Sequence, residues 1–490
     1  MSTPTASREQ STFESGTGLS RLTRRIRRLA AVALTGMLVL SGCAADDASV
    51  AESRAEDDDI ARLALGTKAT YPAIDGSQEL ESAPEGYEPV LVEHVARHGS
   101  RLLSSKKYDD LITQLWELAD DDDALTDTGE KLGPVVADIT AIHEETGYGE
   151  LSELGRREHA EMAERVYQRM NPVFERAVES GQKISVETSG VDRAVDSATS
   201  FIDSLEDADP QLSSVVGEPQ ENTETLYFHD TDEEYNAYVD GDDTLAEVLD
   251  EVENDPEIQS ASAAVLERLF TPEFISELDS GTIDLVDRGD GDKHLNSVVD
   301  AAMYLYELRV IAPGMADEQE IDFSEFLTDE DALVLSRVSE AEDFYEKGPG
   351  LTGQDATFSM AGGLLADMLD AIDGVATGET RQAADFRFAH AEEIIPLAAL
   401  MELPGSSRQQ EPDSLFSYEN NEWRGSQIAP MGANIQWDVF ADNSDDVLVR
   451  MLYNEEQTAF GLDCRPIDEG SYFYEQAELQ RCLAEAAGDE

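Results

Sequence analysis

Apolar runs and helical patterns alternate in the first and last parts of the chain. A short run rich in valine at 89–96 is typical of a buried β-strand, and the segments at 183–190, 385–390 and 446–457 are further strand candidates. Each of the first three is followed by a segment whose apolar residues recur at helical spacing. Repetition of a strand followed by a helix predicts an α/β fold, with a mainly parallel central sheet flanked by helices.

The pattern changes between residues 206 and 379, where helical spacing predominates and acidic residues are frequent. We predict that 206–379 is an all-helical insertion that forms a cap over the sheet, so that the α/β domain consists of 86–205 and 380–490. Residues 43–85 are acidic, rich in alanine and serine and weakly periodic, which predicts a tether in front of the folded domain.

The first 42 residues have the pattern of an export signal peptide. A basic segment at 21–28 precedes an apolar run at 29–40, which is too short to span a bilayer but suits a signal peptide. The Leu-Ser-Gly-Cys that follows at 40–43 resembles a bacterial lipobox, in which Cys43 would be lipidated. We therefore expect an exported lipoprotein on the outer face of the cell membrane, in the bacterial cell envelope. An ordinary signal peptide with a chance cysteine is the alternative, and the export route (Sec or twin-arginine) stays open.

The composition of the 490-residue chain favours a folded and strongly acidic protein. Apolar residues make up 41% of the chain, and 34 Lys+Arg against 106 Asp+Glu give a formal net charge of -72. Such a charge repels nucleic acids, so no nucleic-acid partner is expected. With Cys43 assigned to the lipid, export to an oxidising compartment predicts a disulfide between the other two cysteines, Cys464 and Cys482.

Cationic residues and histidines lie at or near the ends of three predicted strands. The first strand is followed by Arg-His-Gly-Ser-Arg at 97–101, the second by a helix that carries Arg193, and the third by His-Ala-Glu at 390–392. Ligands of open α/β sheets bind at the carboxyl ends of the strands. Arginine binds phosphate oxygens in pairs, a neutral imidazole can attack phosphorus, and a carboxylic acid can protonate a departing alkoxide. Together the strand ends predict phosphoryl-transfer chemistry.

The same residues resemble the signatures of a known family. Arg-His-Gly-Ser-Arg resembles the R-H-G-x-R signature of the histidine phosphatase superfamily, in its acid phosphatase and phytase branch, and the segments at 151–158 and 192–205 resemble two further motifs of that branch. His-Ala-Glu at 390–392 is similar to the element that multiple inositol polyphosphate phosphatases carry where most of the branch has His-Asp. The resemblance runs over about 90–482 and implies the histidine phosphatase fold with an inserted cap.

The resemblance also implies roles for individual residues. His98 would be the nucleophile and Glu392 the proton donor. Four further residues would bind the transferred phosphate: Arg97, Arg101, Arg193 and His390. To remain protonated among cations, Glu392 needs its pKa raised by burial or by the charge of the bound phosphate, which implies an acidic pH optimum. No metal ion or other cofactor is expected, because the arginines supply the positive charge.

Other polar residues are assigned from their positions in the predicted elements. Lys106 or Lys107 would supply a cation for a neighbouring substrate phosphate, or would be solvated surface lysines. His94 lies on the first strand and is expected in the core or behind the site, and Asn434 is expected near the site. The remaining histidines are expected at the surface: His143, His159, His229 and His294.

The expected function is that of an exported, lipid-anchored phosphomonoesterase that hydrolyses inositol polyphosphates, such as inositol hexakisphosphate (phytate), through a phosphohistidine. The alternatives are a broad-specificity acid phosphatase and a non-catalytic lipoprotein that binds phosphorylated solutes; a mutase of the same superfamily is disfavoured by export. The expected partners are a phosphorylated small molecule and, through Cys43, the membrane. Because the protein is so acidic, its activity on phytate is predicted to rise from low to moderate ionic strength.

Overall fold

A computed structural model describes residues 59–74, 79–289, 291, 293–380, 382–444 and 446–488. The predicted signal peptide, Cys43 and the first part of the predicted tether lie outside these residues. The described strands are β1 (Glu88–Arg97), β2 (Lys183–Thr188), β3 (Gln220–Glu221), β4 (Leu285–Val286), β5 (His294–Leu295), β6 (Gln382–Ala389), β7 (Asn434–Ala441), β8 (Val447–Tyr453), β9 (Glu456–Thr458) and β10 (Phe473–Glu475).

Helices make up most of the remaining structure. The described α-helices are α1 (Lys107–Asp121), α2 (Gly129–Thr146), α3 (Glu153–Ser180), α4 (Asp192–Ala208), α5 (Thr223–Leu226), α6 (Glu233–Gly241), α7 (Asp243–Glu253), α8 (Pro256–Leu269), α9 (Pro272–Asp279), α10 (Val298–Ile311), α11 (Asp329–Glu342), α12 (Ala356–Ser359), α13 (Gly362–Ala376), α14 (Ala391–Leu400), α15 (Gly425–Ile428) and α16 (Gln476–Leu483). Short 3₁₀ turns lie at Gly66–Lys68, Pro210–Ser214, Phe228–Asp230 and Ala312–Met315, and a π-helical turn at Asp343–Lys347.

The central sheet is mixed, with the strand order β10-β8-β7-β1-β6-β2-β3 and β9 beside β8. Strands β1, β6, β2 and β3 pair in parallel, whereas β7 pairs antiparallel with β1 and begins an antiparallel half. The predicted α/β fold with parallel central strands is confirmed, and the antiparallel half is an addition to it. The strands predicted to carry the site are the neighbours β1, β6 and β2, so their carboxyl ends lie at one edge of the sheet.

Strand β1 lies in the middle of the sheet because its residues can be buried on both faces. Its last seven residues are all buried. Val92 and Ala96 face one apolar cluster and Leu91 and Val95 the other, since successive side chains of a strand point to opposite faces. A continuous apolar run, rather than alternation of apolar and polar residues, is typical of a parallel strand covered on both sides.

Helices cover both faces of the sheet. On one face α3 and α4 pack together against β1 and β6, around a cluster that contains Phe201, Phe386 and Phe388. On the other face α13 and α14 pack against β1. The predicted insertion at 206–379 is mostly helical, but its last helix, α13, covers the sheet, while α1 and α2 from outside it pack against α10 and α8. An amphipathic helix buries its apolar face against the nearest apolar surface in space, which the order of the chain does not reveal.

Part of the predicted tether packs on the domain. Residues 59–63 are helical and precede the 3₁₀ turn at Gly66–Lys68. Ala64 and Thr67 are buried, and the Met431 backbone N–H donates to the Ala69 carbonyl at 2.8 Å. The apolar residues around Ala64 thus give this segment a face that the domain covers.

Cys464 and Cys482 form the predicted disulfide, with their Cα atoms 5.2 Å apart. It connects the segment between β9 and β10 to α16. Across the described residues, no helix has both the length and the apolar character that crossing a bilayer requires.

Candidate active site

The carboxyl ends of β1, β2 and β6 bring the predicted site residues together. Arg97 lies opposite Ala389 in the parallel register of β1 and β6, and the His98 backbone N–H donates to the Ala389 carbonyl at 2.9 Å. After β2, the Ser189 backbone N–H donates to the Phe388 carbonyl at 3.1 Å. A cavity of about 220 Å³ lies at this edge. Five of the six predicted residues line it: Arg97, His98, Arg101, Arg193 and Glu392.

His98 presents a neutral imidazole to the cavity. Its Nδ1 lies 2.9 Å from the Gly99 carbonyl. A carbonyl oxygen can only accept a hydrogen bond, so Nδ1 carries the proton and Nε2 keeps its lone pair. Burial lowers the pKa of His98 well below its usual range, and Arg97 and Arg193 lower it further. The ring is therefore neutral and can act as a nucleophile through Nε2.

The turn that carries His98 is held by the start of α3. A Cβ atom on Gly99 would lie 2.5 Å from the Gly155 carbonyl, so the two backbones approach too closely for any other residue. The Glu158 carboxylate, also on α3, accepts hydrogen bonds from Ser100 N at 2.7 Å and Ser100 Oγ at 2.8 Å. It accepts a third from Tyr71 N at 2.9 Å. The segment at 151–158 therefore positions the signature loop.

Three arginines line the cavity, and among the described residues none of them forms an ion pair with a carboxylate. Arg97 donates from Nη1 to the carbonyls of Thr67 and Ala429, at 2.6 and 2.5 Å. The Nε atoms of Arg97, Arg101 and Arg193 are buried without a hydrogen-bond partner in the part of the chain that the structure describes. Buried polar atoms are normally partnered, so three orphaned donors at one cavity indicate a site for an anion with several oxygens.

His390 lies beside the cavity, next to His98. The two ring centroids are 5.5 Å apart, and His390 Nε2 lies 2.8 Å from Ser189 Oγ. Burial, followed by the charge of Arg193, lowers the pKa of His390 to about 3, so this ring is also neutral. Its backbone N–H donates to Glu393 Oε2 at 2.9 Å, which caps the start of α14.

Glu392 forms an ion pair at the wall of the cavity. Its Oε1 lies 3.3 Å from Lys347 Nζ, and the same ammonium lies 2.8 Å from Asp343 Oδ1. Burial raises the pKa of Glu392, but Lys347 and nearby histidines outweigh it and hold the pKa below its usual range. Burial therefore does not keep this carboxyl protonated. The sequence suggested two ways to raise the pKa of Glu392, namely burial and the negative charge of a bound phosphate. Of these two, the charge of a bound phosphate remains.

Several residues that line the cavity were not predicted from the sequence. Lys68, within the predicted tether, pairs with Glu307 at 3.2 Å, and Lys347 belongs to the helical insertion. Both lie far from the signature in sequence, so no local motif marks them. Lys106, by contrast, is outside the cavity lining and pairs with Glu144, with 54% of its side chain exposed. Of the two sequence interpretations of Lys106, the surface lysine fits the structure.

The remaining histidines are mostly buried, which corrects the expectation that they lie at the surface. His143 is fully buried, and its Nε2 accepts from Leu103 N at 3.2 Å. His159 is fully buried beside Phe388. His229 lies behind the site, with Nδ1 3.0 Å from Glu393 Oε1.

His294 is exposed, as expected, because it lies in the small β4–β5 hairpin. His94 is in the core, also as expected, among the rings of Phe201, Phe386 and Phe388. Asn434 starts β7, opposite Ala96 of β1, and lies close behind the site.

The described residues contain no cluster of three or more His, Cys, Asp or Glu side chains that could hold a metal ion. The positive charge at the cavity comes from arginine and lysine side chains, which bind anions.

Comparison with known proteins gives three consistent results. The sequence model of the histidine phosphatase superfamily (branch 2) matches residues 91–454. Multiple inositol polyphosphate phosphatase 1 of Gallus gallus is 22% identical over 391 residues, covering 77% of this chain and 78% of that protein. The crystal structure of Bifidobacterium longum multiple inositol polyphosphate phosphatase, in complex with inositol hexasulfate, is 34% identical with a TM-score of 0.82, covering 86% of this chain and 97% of that chain.

A phytase from D. castellii has the same fold, with a TM-score of 0.60 at 13% identity over 88% of each chain. The fold predicted from the sequence is therefore found in solved structures.

Proposed function

Because the chain belongs to branch 2 of the histidine phosphatase superfamily, we propose that it hydrolyses inositol polyphosphates, phytate among them, through a phosphohistidine on His98. Its family makes the chain a hydrolase of the histidine phosphatase type, similar to inositol polyphosphate phosphatases and phytases. One observation carries the proposal: a neutral imidazole lies among three arginines whose Nε atoms are unpartnered within the described chain.

The first half-reaction transfers the phosphoryl group to the protein. His98 Nε2 attacks phosphorus, so that a P–N bond forms while the P–O bond to the inositol oxygen breaks. Arg97, Arg101 and Arg193 stabilise the charge on the phosphoryl oxygens. Protonated Glu392 gives its proton to the departing alkoxide, which leaves as a hydroxyl group.

The second half-reaction returns the protein to its starting state. Water attacks the phosphorus of the phosphohistidine, and the Glu392 carboxylate accepts a proton from that water. The P–N bond breaks, inorganic phosphate is released, and His98 is again a neutral imidazole. One phosphomonoester and one water are consumed, and one alcohol and one phosphate are produced.

Two observations support an inositol polyphosphate as the substrate. The relative from Bifidobacterium longum was solved with inositol hexasulfate, whose sulfate groups stand in for phosphates. In the present chain, Lys68 and Lys347 line the cavity beside the three arginines. Cations beyond those needed for the transferred group suit a substrate that carries further phosphates.

A His98→Ala variant tests the proposed function. We expect wild type to release inorganic phosphate from phytate, and His98→Ala to lose this activity by at least about 1000-fold while still binding inositol hexasulfate, because the arginines remain. His294→Ala, an exposed histidine of the insertion, is the matched control and should retain activity. Wild type that binds inositol hexasulfate but turns over no phosphomonoester would show a binding protein instead of an enzyme.

We also propose export and lipid anchoring through Cys43, supported by the basic and apolar segments and the Leu-Ser-Gly-Cys sequence in front of it. Mass spectrometry of the protein from its native membrane should show a diacylated cysteine at the new amino terminus, and an unmodified Cys43 contradicts the anchor.

A further inference from the structure

Lys347 connects the helical insertion, to which it belongs, with the proton donor of the proposed mechanism. It ends the π-helical turn Asp343–Lys347, and turns of this kind are frequent at functional sites. Its ammonium pairs with Asp343 at 2.8 Å and with Glu392 at 3.3 Å, and only 21% of its side chain is exposed. It also lines the cavity. A phosphate bound there would therefore lie close to both members of the Lys347–Glu392 pair.

Lys347 differs from the arginines of the cavity in having acidic partners already. The Nε atoms of Arg97, Arg101 and Arg193 have no hydrogen-bond partner among the described residues, whereas Lys347 contacts two carboxylates. A phosphate dianion at the arginines attracts the ammonium and repels the Glu392 carboxylate at the same time. The flexible lysine stem lets the ammonium leave Glu392 while it stays close to Asp343.

Other charged or titratable groups also face Glu392 and influence its pKa. From the insertion these are Glu346, Tyr235 and His229, and from its own helix they are His390 and Glu393. From the other strand ends they are Arg97, Arg101 and Arg193. Lys347 differs from these groups because its ammonium forms an ion pair with the Glu392 carboxylate.

We infer, on the basis of the proposed function, that Lys347 is a positioning residue for the proton donor. Its ammonium holds the Glu392 carboxylate until a phosphate enters the cavity, and it then turns to the phosphate, so that Glu392 takes up a proton. The ion pair thus makes protonation of the donor conditional on substrate. Without a phosphate, Glu392 stays ionised and paired.

A Lys347→Met variant tests this role through the pH profile. The alkaline limb of kcat/KM reports the titration of the essential acid in the free protein. Without the ammonium, Glu392 keeps its proton to higher pH, so the alkaline limb for phytate hydrolysis should move up by about one pH unit or more. Lys347→Arg keeps a cation at this position and should restore the wild-type limb.

Lys68→Met is the matched control, because Lys68 lines the same cavity but pairs with Glu307 instead of Glu392. Loss of this lysine can change KM for phytate and should leave the alkaline limb in place. The inference is overturned if the limb of Lys347→Met coincides with that of wild type, or if Lys68→Met moves it equally. Absence of phosphatase activity in wild type would overturn the proposed function instead, so the two failures are distinguishable.

A second measurement on folded wild type covers the case in which Lys347→Met does not fold. Inositol hexasulfate carries no group that titrates near neutral pH, so protons taken up when it binds come to the protein. Calorimetry in buffers of different ionisation enthalpy should show proton uptake by wild type that is clearly reduced in Glu392→Gln. Equal uptake by the two proteins would mean that Glu392 does not change its protonation when an anion binds, and would overturn the inference.

Discussion

Two buried histidines lie directly behind the nucleophile. His94 and His159 are fully buried, and their ring centroids lie 5.7 and 5.6 Å from that of Phe388. Within the described part of the chain, the His94 ring has no hydrogen-bond partner, and the His159 ring lies near the backbone carbonyl of Arg97. Burial lowers the pKa of His94 well below its usual range. Burial also lowers the pKa of His159 to about 4, and the nearby Arg97 carbonyl opposes this shift only in part. Both rings are therefore neutral in the folded protein.

This burial predicts a loss of stability in acid. For His159 the ordinary pKa is 6.5 and the folded pKa is about 4. As the pH falls below the ordinary value, the unfolded chain binds a proton that the folded chain does not, so the free energy of unfolding decreases. The whole pKa shift is equivalent to a decrease of roughly 3 kcal/mol in the free energy of unfolding. This decrease is reached near the folded pKa, and it is absent above the ordinary pKa. A His159→Leu variant should therefore lose less stability than wild type between pH 7 and pH 4.5.

Urea unfolding at both pH values, followed by circular dichroism, measures the difference. His294→Leu is the control, since it makes the same substitution at a histidine whose ring is 50% exposed instead of buried. An acid loss in His159→Leu equal to that of wild type would mean that another group causes it.

Among the secondary-structure elements, α14 is where the catalytic edge and the helical insertion meet. Its first turn carries two adjacent carboxylates, and each takes a cationic or histidine partner from the insertion. Glu392 pairs with Lys347, and Glu393 accepts from His229. Glu393 also accepts from the His390 backbone N–H, so His229 braces the residue that positions His390. Residues of the 206–379 segment thus contribute to the geometry of the site.

We predict that removing the His229–Glu393 hydrogen bond lowers kcat. In a His229→Leu variant, the buried Glu393 loses one of its hydrogen-bond partners, at a cost of about 1–3 kcal/mol, and the start of α14 loosens. We expect kcat on phytate to fall by about tenfold with little change in KM, because the arginines are untouched. His229→Asn, whose amide can replace the Nδ1 donor, should recover most of the activity. Steady-state kinetics would contradict the brace if leucine and asparagine gave the same kcat.

The parallel half of the sheet could be predicted from the sequence, whereas the antiparallel half was predicted only in part. Strand β1 has an apolar run that matches its burial, and in β2 the apolar Ile184 and Val186 take buried positions. Strand β7 was missed because polar residues alternate along it, although the face they occupy is buried. Asp438 on this face accepts from Arg169 of α3 and from Arg450 of β8, so its burial depends on partners that other elements of the fold supply.

The site residues also divide into those that could be predicted from the sequence and those that could not. The signature residues at 97–101 and 390–392 lie at strand ends and are recognisable locally, and the structure brings them together at one cavity. Lys347 could not be predicted, because it is one cation within an acidic helical insertion, and its significance depends on the fold placing it beside Glu392. For the same reason His229 was expected at the surface.

At the scale of the whole molecule, cations are concentrated at one cavity of a protein that is otherwise strongly acidic. The chain has a formal net charge of -72, yet three arginines and two lysines line one small cavity, together with the carboxylates of Glu307, Glu342, Asp343 and Glu392. A polyanion such as phytate is repelled at long range and attracted only at short range. The range of the repulsion is set by salt, with a screening length of about 30 Å at 0.01 M and about 8 Å at 0.15 M. Contacts inside the cavity are shorter than either length and are screened much less.

This separation of ranges predicts that kcat/KM for phytate rises several-fold when the salt concentration increases from about 0.01 M to about 0.15 M. The rise should appear in kcat/KM more than in kcat, because screening aids the approach of substrate and leaves the chemical steps unchanged. A phosphomonoester with a single phosphate group is the control, and its smaller charge should give a weaker response. Unfolding curves at each salt concentration separate this effect from a change in stability. A flat or falling kcat/KM for phytate, with the protein folded throughout, would show that the surface charge does not govern substrate approach and that the local potential of the cavity dominates at all ionic strengths.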